Sequence, residues 1–487
     1  MSITRSNFAH WVFSNSNKQK LACIDSCGGE LTYQQLENKT KNFAHCLKEK
    51  YKILPQQRVG IFLNDTVDWP VAFLSCIMIG ANPLLLYRNL LETDLNYLCD
   101  LADCRFIICK DNESFTGRTA IPESEINTDA DNTVEPYVWN NDEMCWWTLS
   151  SGSTGKHKII VNSHGSFERL YNVANKRVDI KENDVVLCVA KMSFAWGLAQ
   201  LMWTLSNKST ICLIKSAPAP AIIFNMIHEN KVTTLCIGPY VLDSMCKRKD
   251  RKLPSNLKII SSGEYLTEQL RKKIKEIFGL KVFDGYGTSE IWSAISIQQD
   301  DVSFDNMGSV IGGIEYKIIN ERGKECLHGE PGELHVSHPA QALMYWKDQE
   351  ASNETYIGRW VKTGDIVIEK EGKLIFKGRK DDVFKIKGIF VSPLDIEKTI
   401  LEHRYVENCV VALEENSSVE NLIAYIKFTE KHNDNIAQLR KFLKTKITTE
   451  RIPKHIIEVF ELPRTVNNKI KRKYFLESSR LKNKNKV

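Results

Sequence analysis

Strand-length apolar segments alternate with helix-length segments over roughly the first 280 residues, and this alternation restricts the fold more than any other feature. The predicted strands are 56–64, 104–109, 184–190, 209–214, 232–237 and 257–262. The predicted helices are 32–50, 67–80, 89–102, 219–230, 240–247 and 266–278. Such alternation is typical of parallel sheets whose faces are covered by helices. The sequence therefore predicts an α/β fold.

The pattern changes after about residue 305, where glycines separate short strand-like runs. Within this region 369–376 (EKEGKLIF) has the pattern of a β-hairpin. The predicted elements that follow are helices at 394–401 and 436–447 and strands at 407–413 and 421–428. We therefore predict a large domain over 1–380, with parallel-type sheets, helices and a β-rich subdomain, and a small α+β domain over 381–487.

Several features predict a cytoplasmic protein without a membrane partner. The fourteen cysteines are scattered and form no Cys-x-x-Cys pair, as expected for free thiols in a reducing compartment. The first twenty residues lack the apolar region of a secretion signal. The longest apolar stretch, 71–87, is interrupted by Ser75, Asn82 and Pro83 and falls short of the ~20 residues that a membrane-spanning helix needs.

The net charge of +6 is concentrated in the small predicted domain. Residues 381–487 contain 21 lysines and arginines against 15 aspartates and glutamates, so the large domain is neutral overall. A charged surface of this kind is usually just solvated, although it can also attract a polyphosphate. We predict no nucleic-acid partner, and the oligomeric state stays open between monomer and homodimer.

A loop rich in serine, threonine and glycine follows an apolar run at 148–164 (TLSSGSTGKHKIIVNSH). Glycines let the backbone approach an anion closely, hydroxyl groups add donors, and Lys156 and Lys158 add positive charge. Ser150 and His157 stand where a Walker loop needs Gly and Ser or Thr. The residues alone leave two alternatives open, a flexible connection and a phosphate-binding loop.

Together with four later motifs, this loop resembles the adenylate-forming superfamily of acyl-CoA synthetases, luciferases and peptide-synthetase adenylation domains. The matching motifs, in the family's order, are Ser150–Gly155 with Lys158 and His164, Asp284–Glu290, Thr363–Asp365, Gly378–Gly388 and Pro463–Lys469. His157, Ile159 and Asn468 depart from the family's usual Pro, Gly and Gly. The order and number of the motifs make the resemblance specific.

The resemblance implies an enzyme that uses ATP and Mg²⁺ to join a carboxylic acid to AMP, releases pyrophosphate, and passes the acyl group to a thiol. Glu290 is the implied magnesium ligand, Tyr286 the adenine platform with Asp284 as acceptor for the exocyclic amine, and Asp365 the ribose ligand. The implied nucleotide-binding residues are Ser150, Ser151, Gly152, Ser153, Thr154, Gly155, Lys158, Gly263, Glu264, Asp284, Gly285, Tyr286, Gly287, Thr288, Ser289, Asp365, Arg379 and Lys385.

The small domain is implied to be a mobile lid. Lys469 is the implied catalytic lysine, because an ammonium between the substrate carboxylate and the α-phosphate cancels the repulsion of two anions. Asp381 falls at the family's hinge, and Gly388 falls where the thiol arm passes the backbone. Glu290 and Lys469 are thus the predicted catalytic pair.

The segment 193–197 (SFAWG) corresponds to the family's acyl-pocket motif. Amino-acid-activating relatives have Asp where this chain has Ala195, and a buried ammonium without its counterion is costly, so α-amino acids are disfavoured. The stretches 190–200, 342–348 and 388–397 resemble benzoate-type aryl-CoA ligases. The predicted acyl-pocket residues are Phe194, Ala195, Trp196, Gly197, Tyr240 and Trp292.

Three functional hypotheses follow from these patterns. The favoured one is an AMP-forming acyl-CoA ligase that acts on an aromatic or compact carboxylic acid, with CoA as co-substrate. The alternative is a stand-alone adenylation enzyme that loads the acid onto the phosphopantetheine of a carrier protein. A nucleotide-binding regulator without catalysis is disfavoured, because Glu290, Asp365 and Lys469 are all present.

Overall fold

The computed structural model describes residues 6–127, 132–151, 157–292, 296–298, 307–386, 389–413, 421–429, 434–463 and 470. The strands are β1 Leu21–Asp25, β2 Glu30–Thr32, β3 Arg58–Phe62, β4 Asn82–Leu85, β5 Phe106–Cys109, β6 Thr119–Pro122, β7 Met144–Ser151, β8 His157–Ser163, β9 Val185–Cys188, β10 Thr210–Leu213, β11 Thr234–Ile237, β12 Lys258–Ser262, β13 Val282–Tyr286, β14 Ser296–Gln298, β15 Ser309–Val310, β16 Glu315–Ile319, β17 Gly332–Ser337, β18 Met344–Tyr345, β19 Tyr356–Ile357, β20 Trp360–Lys370, β21 Lys373–Arg379, β22 Phe384–Ile386, β23 Ile389–Val391, β24 Val406–Leu413, β25 Leu422–Phe428 and β26 His455–Glu458.

The helices alternate with the strands of the first 290 residues, as the sequence predicts. They are α1 Phe8–Phe13, α2 Tyr33–Glu49, α3 Asp68–Met78, α4 Glu92–Leu101, α5 Ser166–Val178, α6 Ala195–Ser206, α7 Pro220–Glu229, α8 Pro239–Cys246, α9 Glu268–Phe278, α10 Gln349–Thr355, α11 Pro393–Leu401 and α12 Asn435–Lys446. Short 3-10 turns lie at Glu123–Asn127, Ser289–Ile291 and Thr449–Arg451. The predicted α/β fold class is confirmed. In the described part of the chain, no helix is long and apolar enough to cross a membrane.

The first sheet has the strand order β15-β14-β13-β12-β11-β9-β10-β1-β2. The neighbours from β13 through β1 pair in parallel, while β2 and β14 are antiparallel to their neighbours. Parallel strands deliver their carboxyl ends to the same edge of a sheet, which is where ligands bind in open α/β sheets. The loops after β9, β11, β12 and β13 therefore meet at that edge.

The second sheet has the order β18-β8-β7-β4-β3-β5-β6. Strands β3 to β6 pair in parallel, and β7 runs parallel to β4 before it turns back into the antiparallel strand β8. The helix α6, which packs between the sheets, is buried along almost its whole length. Its tryptophan Trp203 belongs to the same apolar core as Trp69 of α3 and Trp146 of β7.

The β-rich region forms a third sheet with the order β16-β17-β20-β19, and β21 pairs with β20. The predicted hairpin is β20 and β21, where Lys370 pairs with Lys373 across Glu371 and Gly372. Both turn residues have positive φ, 53° and 71°, as a type I′ turn requires. The hairpin prediction is confirmed.

The chain after residue 389 forms a further sheet, β24-β25-β26, packed against α11 and α12. Its apolar cluster runs from Val391 to Ile456 and contains no residue of the two large sheets. A separate core is what an independently moving unit needs. The boundary between 380 and 381 stays a prediction that this separate core supports.

Candidate active site

Asp365 of β20 is held by two donors from different strands. The Tyr286 hydroxyl, at the end of β13, donates to one carboxylate oxygen. Nη1 of Arg379 donates to the other oxygen at 2.8 Å and to the Thr363 carbonyl at 2.9 Å. A carboxylate can accept about four hydrogen bonds in all, so its oxygens can each serve more than one donor. The structure thus brings together three of the predicted nucleotide-binding residues.

The sheet register explains why Asp365 and Arg379 meet. They are directly opposite each other on the antiparallel strands β20 and β21. Gly364 has φ +69°, and a Cβ at this position would lie 3.1 Å from Nη2 of Arg379. A side chain at Gly364 would therefore strain the backbone and push against the guanidinium.

Glu290 lies in the 3-10 turn after β13, and its carboxylate is oriented by Tyr345 of β18. The Tyr345 hydroxyl donates to Oε1 of Glu290 at 2.9 Å. Nζ of Lys158, on β8, lies 4.8 Å from the centre of the Tyr345 ring and 3.6 Å from Oδ2 of Asp348. The Glu290 carboxylate is therefore fixed beside the predicted phosphate loop.

The surroundings of Glu290 fit a magnesium ion that is shared with a nucleotide. Oε2 of Glu290 accepts no hydrogen bond from the described residues, and Mg²⁺ is usually bound by one or two carboxylates together with substrate phosphates and water. Within the described ranges, no group of three or more His, Cys, Asp or Glu side chains could hold a metal by itself. A single carboxylate beside a phosphate loop is the arrangement expected for a metal that arrives with ATP.

Asp284, the predicted acceptor for the adenine amine, is paired with Arg271 of α9. Nη2 of Arg271 lies 3.3 Å from Oδ2 of Asp284. Burial raises the pKa of Asp284 to about 7, although Arg271 opposes the shift. Asp284 stays a predicted adenine acceptor, and the structure adds Arg271 as the group that opposes the rise in its pKa.

The base of the predicted phosphate loop is a hairpin in which Ser150 of β7 pairs with Lys158 of β8. His157 connects this base to Tyr87, just after β4. Nε2 of His157 lies 2.7 Å from the Tyr87 hydroxyl, and Nδ1 lies 3.2 Å from the Ser150 carbonyl oxygen. Because a carbonyl only accepts, Nδ1 carries the proton and the Tyr87 hydroxyl donates to Nε2. Burial raises the pKa of Tyr87 to about 12, so this donor stays protonated.

The predicted acyl-pocket segment lies at the carboxyl end of β9 and continues into α6. The rings of Phe194 and Tyr87 are 5.3 Å apart. Ala195, the first residue of α6, is 3% exposed, and Trp196 packs at 5.8 Å from Trp203. A Cβ at Gly197 would lie only 2.1 Å from the Lys191 carbonyl, so only glycine permits this close approach. The segment thus presents apolar groups beside Tyr87.

The other two predicted acyl-pocket residues differ in burial. Tyr240 lies in the first turn of α8 and is 41% exposed. Trp292 is fully buried and packs against Trp146 and Phe167, with ring centres 4.3 and 5.8 Å away. It adopts φ +60°, which is uncommon for a bulky residue. The contacts of Trp292 are those of a core residue, whereas Tyr240 is partly exposed.

The remaining predicted residues fall into two groups. The first group is described: two residues follow β12 (Gly263 and Glu264), one lies in β13 (Gly285), and three lie between β13 and Glu290 (Gly287, Thr288 and Ser289). The hinge residue Asp381 is exposed just after β21. Outside the described residues lie Gly152, Ser153, Thr154, Gly155, Gly388 and Lys469, together with the side chains of Ser151 and Lys385.

The sequence did not single out Tyr87 or Tyr345 as functional residues. Each tyrosine bonds a site residue that is distant in the chain, 70 residues away for His157 and 55 for Glu290. The signal that could have found Tyr87 is its position directly after a parallel strand that neighbours β7. No local pattern points to Tyr345 as a partner of Glu290.

Replacing His157 by Ala is expected to raise the KM for ATP about fivefold, because a hydrogen bond that fixes the loop base contributes ~1 kcal/mol. Tyr87→Phe removes the same bond and should have an effect of similar size. The double variant should be no worse than either single variant. Additive losses in steady-state kinetics would contradict a shared role of the two side chains.

Comparison with known proteins shows the family of this chain. The sequence profile of the family described as AMP-binding enzyme matches residues 8–346. A benzoate–CoA ligase of Thauera aromatica is 28% identical over 93% of this chain and 92% of its own length.

Two solved structures share the fold over nearly their whole length. A benzoate CoA ligase from Burkholderia xenovorans LB400 superposes with a TM-score of 0.88 at 26% identity, covering 96% of this chain and 99% of that protein. An anthranilate CoA ligase in complex with anthranoyl-AMP superposes with a TM-score of 0.91 at 23% identity, covering 98% of both chains. The resemblance predicted from the sequence motifs is confirmed.

Proposed function

The chain belongs to the AMP-binding enzyme family, and from this premise we propose that it is an AMP-forming acid–thiol ligase that joins an aryl carboxylic acid to CoA. The acid first attacks the α-phosphate of ATP and releases pyrophosphate. The thiol then attacks the acyl carbon of the acyl-adenylate and releases AMP. The relatives named benzoate–CoA ligase support the choice of acid and acceptor.

One observation carries the proposal: the base of the β7–β8 hairpin lies between a polar set and an apolar set of side chains. On one side Lys158 contacts the Tyr345 ring, whose hydroxyl orients Glu290. On the other side His157 bonds Tyr87, which packs against Phe194. A triphosphate bound at the hairpin would therefore lie beside an apolar slot for the acid.

The side chains of this site have separate tasks in the first half-reaction. Asp365 accepts from the ribose hydroxyls while Arg379 holds it in place, and the Tyr286 ring supports the adenine. Mg²⁺ bound at Glu290 supplies positive charge that neutralises the phosphates. Together these groups position two anions that would otherwise repel each other.

The apolar slot favours a neutral acyl group. Ala195 provides no carboxylate for a substrate ammonium, and Phe194 and Tyr87 offer flat apolar surfaces that suit a planar ring. Burying an unpaired ammonium there costs several kcal/mol. Aryl acids should therefore be preferred to α-amino acids of similar size.

A panel of acids in the ATP–pyrophosphate exchange assay tests this proposal independently of the acceptor. Benzoate and hydroxybenzoates should stimulate exchange, whereas phenylalanine should not. Asp365→Ala should abolish the stimulation, because Tyr286 and Arg379 lose their shared partner. Exchange driven by amino acids and not by aryl acids would contradict the proposed substrate class.

The acceptor is tested by comparing CoA with pantetheine in the second half-reaction. CoA carries phosphates that the basic small domain should attract, so pantetheine should react less efficiently and the KM for CoA should rise with salt, as charges are screened over ~10 Å at 0.1 M. Equal efficiency of CoA and pantetheine would contradict recognition of the nucleotide end. A phosphopantetheinyl carrier protein would then become the better-supported acceptor.

A further inference from the structure

Asp65 is a buried carboxylate that no nucleotide or acyl-pocket motif includes. It lies three residues after β3 of the second sheet and is 5% exposed. Oδ1 accepts from the Met192 backbone N–H at 3.2 Å, and Oδ2 lies 3.3 Å from Nζ of Lys191. Both partners belong to the segment that leads from β9 of the first sheet into the acyl pocket. Asp65 therefore connects the carboxyl edges of the two large sheets.

Lys191 extends this connection to a third segment of the chain. Its Nζ donates to three consecutive carbonyls after β10, at 3.1 Å to Ile214, 3.4 Å to Lys215 and 2.9 Å to Ser216. An ammonium has three donors and no acceptor. With Asp65 as its counterion, Lys191 is tied to the loops after β3 and β10 at once.

The backbone of Lys191 also fixes the start of the acyl-pocket helix. The Phe194 N–H donates to the Lys191 carbonyl at 3.1 Å, and α6 begins at the next residue. Gly197 packs against the same carbonyl, since a Cβ there would lie 2.1 Å from it. Any movement of Lys191 is therefore transmitted to Phe194 and Ala195.

A purely stabilising role accounts poorly for an ion pair whose carboxylate is buried and whose ammonium is partly exposed. The desolvation of the carboxylate offsets much of the attraction between the two charges. Burial raises the pKa of Asp65 to about 6 against the opposing effect of Lys191, so the carboxylate is charged at neutral pH. What the pair contributes specifically is one fixed arrangement of three loops.

We infer that Asp65 and Lys191 are positioning residues for the acyl pocket: their ion pair fixes the segment 191–195 so that Phe194 and Ala195 present a preformed slot to the acid. The inference rests on the proposed function. The pair bonds the acyl segment and the loops after β3 and β10, and its hydrogen bonds and ion pairs among the described residues do not include Asp365, Arg379 or Glu290. Loss of the ion pair should therefore raise the KM for the acid much more than the KM for ATP.

The experiment measures KM for benzoate and for ATP by ATP–pyrophosphate exchange in Asp65→Asn, Lys191→Met and the double variant. Each single variant should raise the KM for benzoate at least tenfold and leave the KM for ATP within twofold. Because the two side chains act as one unit, the double variant should resemble the single variants. Lys191→Arg keeps the cation and should recover most of the affinity for benzoate.

Glu37→Gln serves as the matched control, because Glu37 is likewise a poorly exposed carboxylate in an ion pair, here with Lys18 and Lys41, but lies on α2. This variant should leave both KM values unchanged. Thermal unfolding identifies variants that fail to fold. Asp65→Asn is expected to fold even if Lys191→Met does not. It removes the buried charge and leaves an ammonium that is 34% exposed, whereas Lys191→Met leaves the Asp65 carboxylate buried without its counterion.

Two results would overturn the positioning role. One is a folded Asp65→Asn or Lys191→Met variant with an unchanged KM for benzoate. The other is an equal rise in the KM for benzoate and for ATP, which would indicate a general loss of structure. Absence of benzoate-dependent exchange in the wild-type protein would instead contradict the proposed function, so the two failures are distinguishable.

Discussion

Lys469→Ala is expected to slow adenylation about 10²- to 10³-fold, the loss typical when a single charge-stabilising donor is removed from a reacting centre. The reason is electrostatic. The substrate carboxylate and the α-phosphate repel each other, and an ammonium between them cancels that repulsion where charge is most concentrated. Thioester formation from supplied acyl-adenylate should be largely retained, because the lid is proposed to rotate between the half-reactions and take the lysine away.

Lys471→Ala is the matched control for Lys469, because it removes a lysine from the same basic segment without the motif that begins at Pro463. Its adenylation rate should remain close to that of the wild type. Equal losses of both half-reactions in Lys469→Ala, measured separately by pyrophosphate exchange and by thioester formation, would contradict the two-conformation account.

Ala195→Asp is expected to abolish measurable activity on benzoate. Ala195 is almost fully buried beside Phe194, and an unpaired carboxylate in such a slot costs several kcal/mol. The variant would also place a negative charge at the start of α6, but favourable interaction with a helix N-terminus is worth only ~0.3–1 kcal/mol. The cost of burying the carboxylate therefore outweighs its favourable interaction with the helix N-terminus. The negative charge also repels the carboxylate of the acid.

Ala195→Asn distinguishes the effect of the added charge from the effect of the added volume, since the Asn side chain has nearly the size of Asp but no charge. It should lose less activity on benzoate than Ala195→Asp. Exchange kinetics with benzoate that are unchanged in the Asp variant would mean that residues 193–197 do not line the acyl pocket.

Periodicity predicted six of the strands and six of the helices of the large sheets, because these elements differ in length and in their turn residues. They are β3, β5, β9, β10, β11 and β12 and α2, α3, α4, α7, α8 and α9. Helix α6 was missed because almost every residue of it is buried, so no polar face marks it as a helix. The same segment was interpreted only as an acyl-pocket motif. The segment enters α6 at Ala195, and its role in an acyl pocket stays a prediction.

The motifs predicted which polar residues form the site, but not the hydrogen bonds and ion pairs that fix their side chains. Asp365 and Arg379 come together because the strand register shifts by one residue between Ile366 and Val367, whereas the hairpin predicted at 369–376, extended without that shift, would pair Asp365 with Gly378. Tyr345 and Asp65 bond partners 55 and 127 residues away, through contacts that only the packing of separate sheets creates. Single-sequence patterns contain no signal for such pairs.

The most direct test of the central claim is a product analysis with benzoate, ATP, Mg²⁺ and CoA. The account predicts that AMP, pyrophosphate and benzoyl-CoA form in equal amounts and that omission of benzoate stops the formation of AMP. Formation of ADP and phosphate, or of AMP without a dependence on any aryl acid, would contradict it.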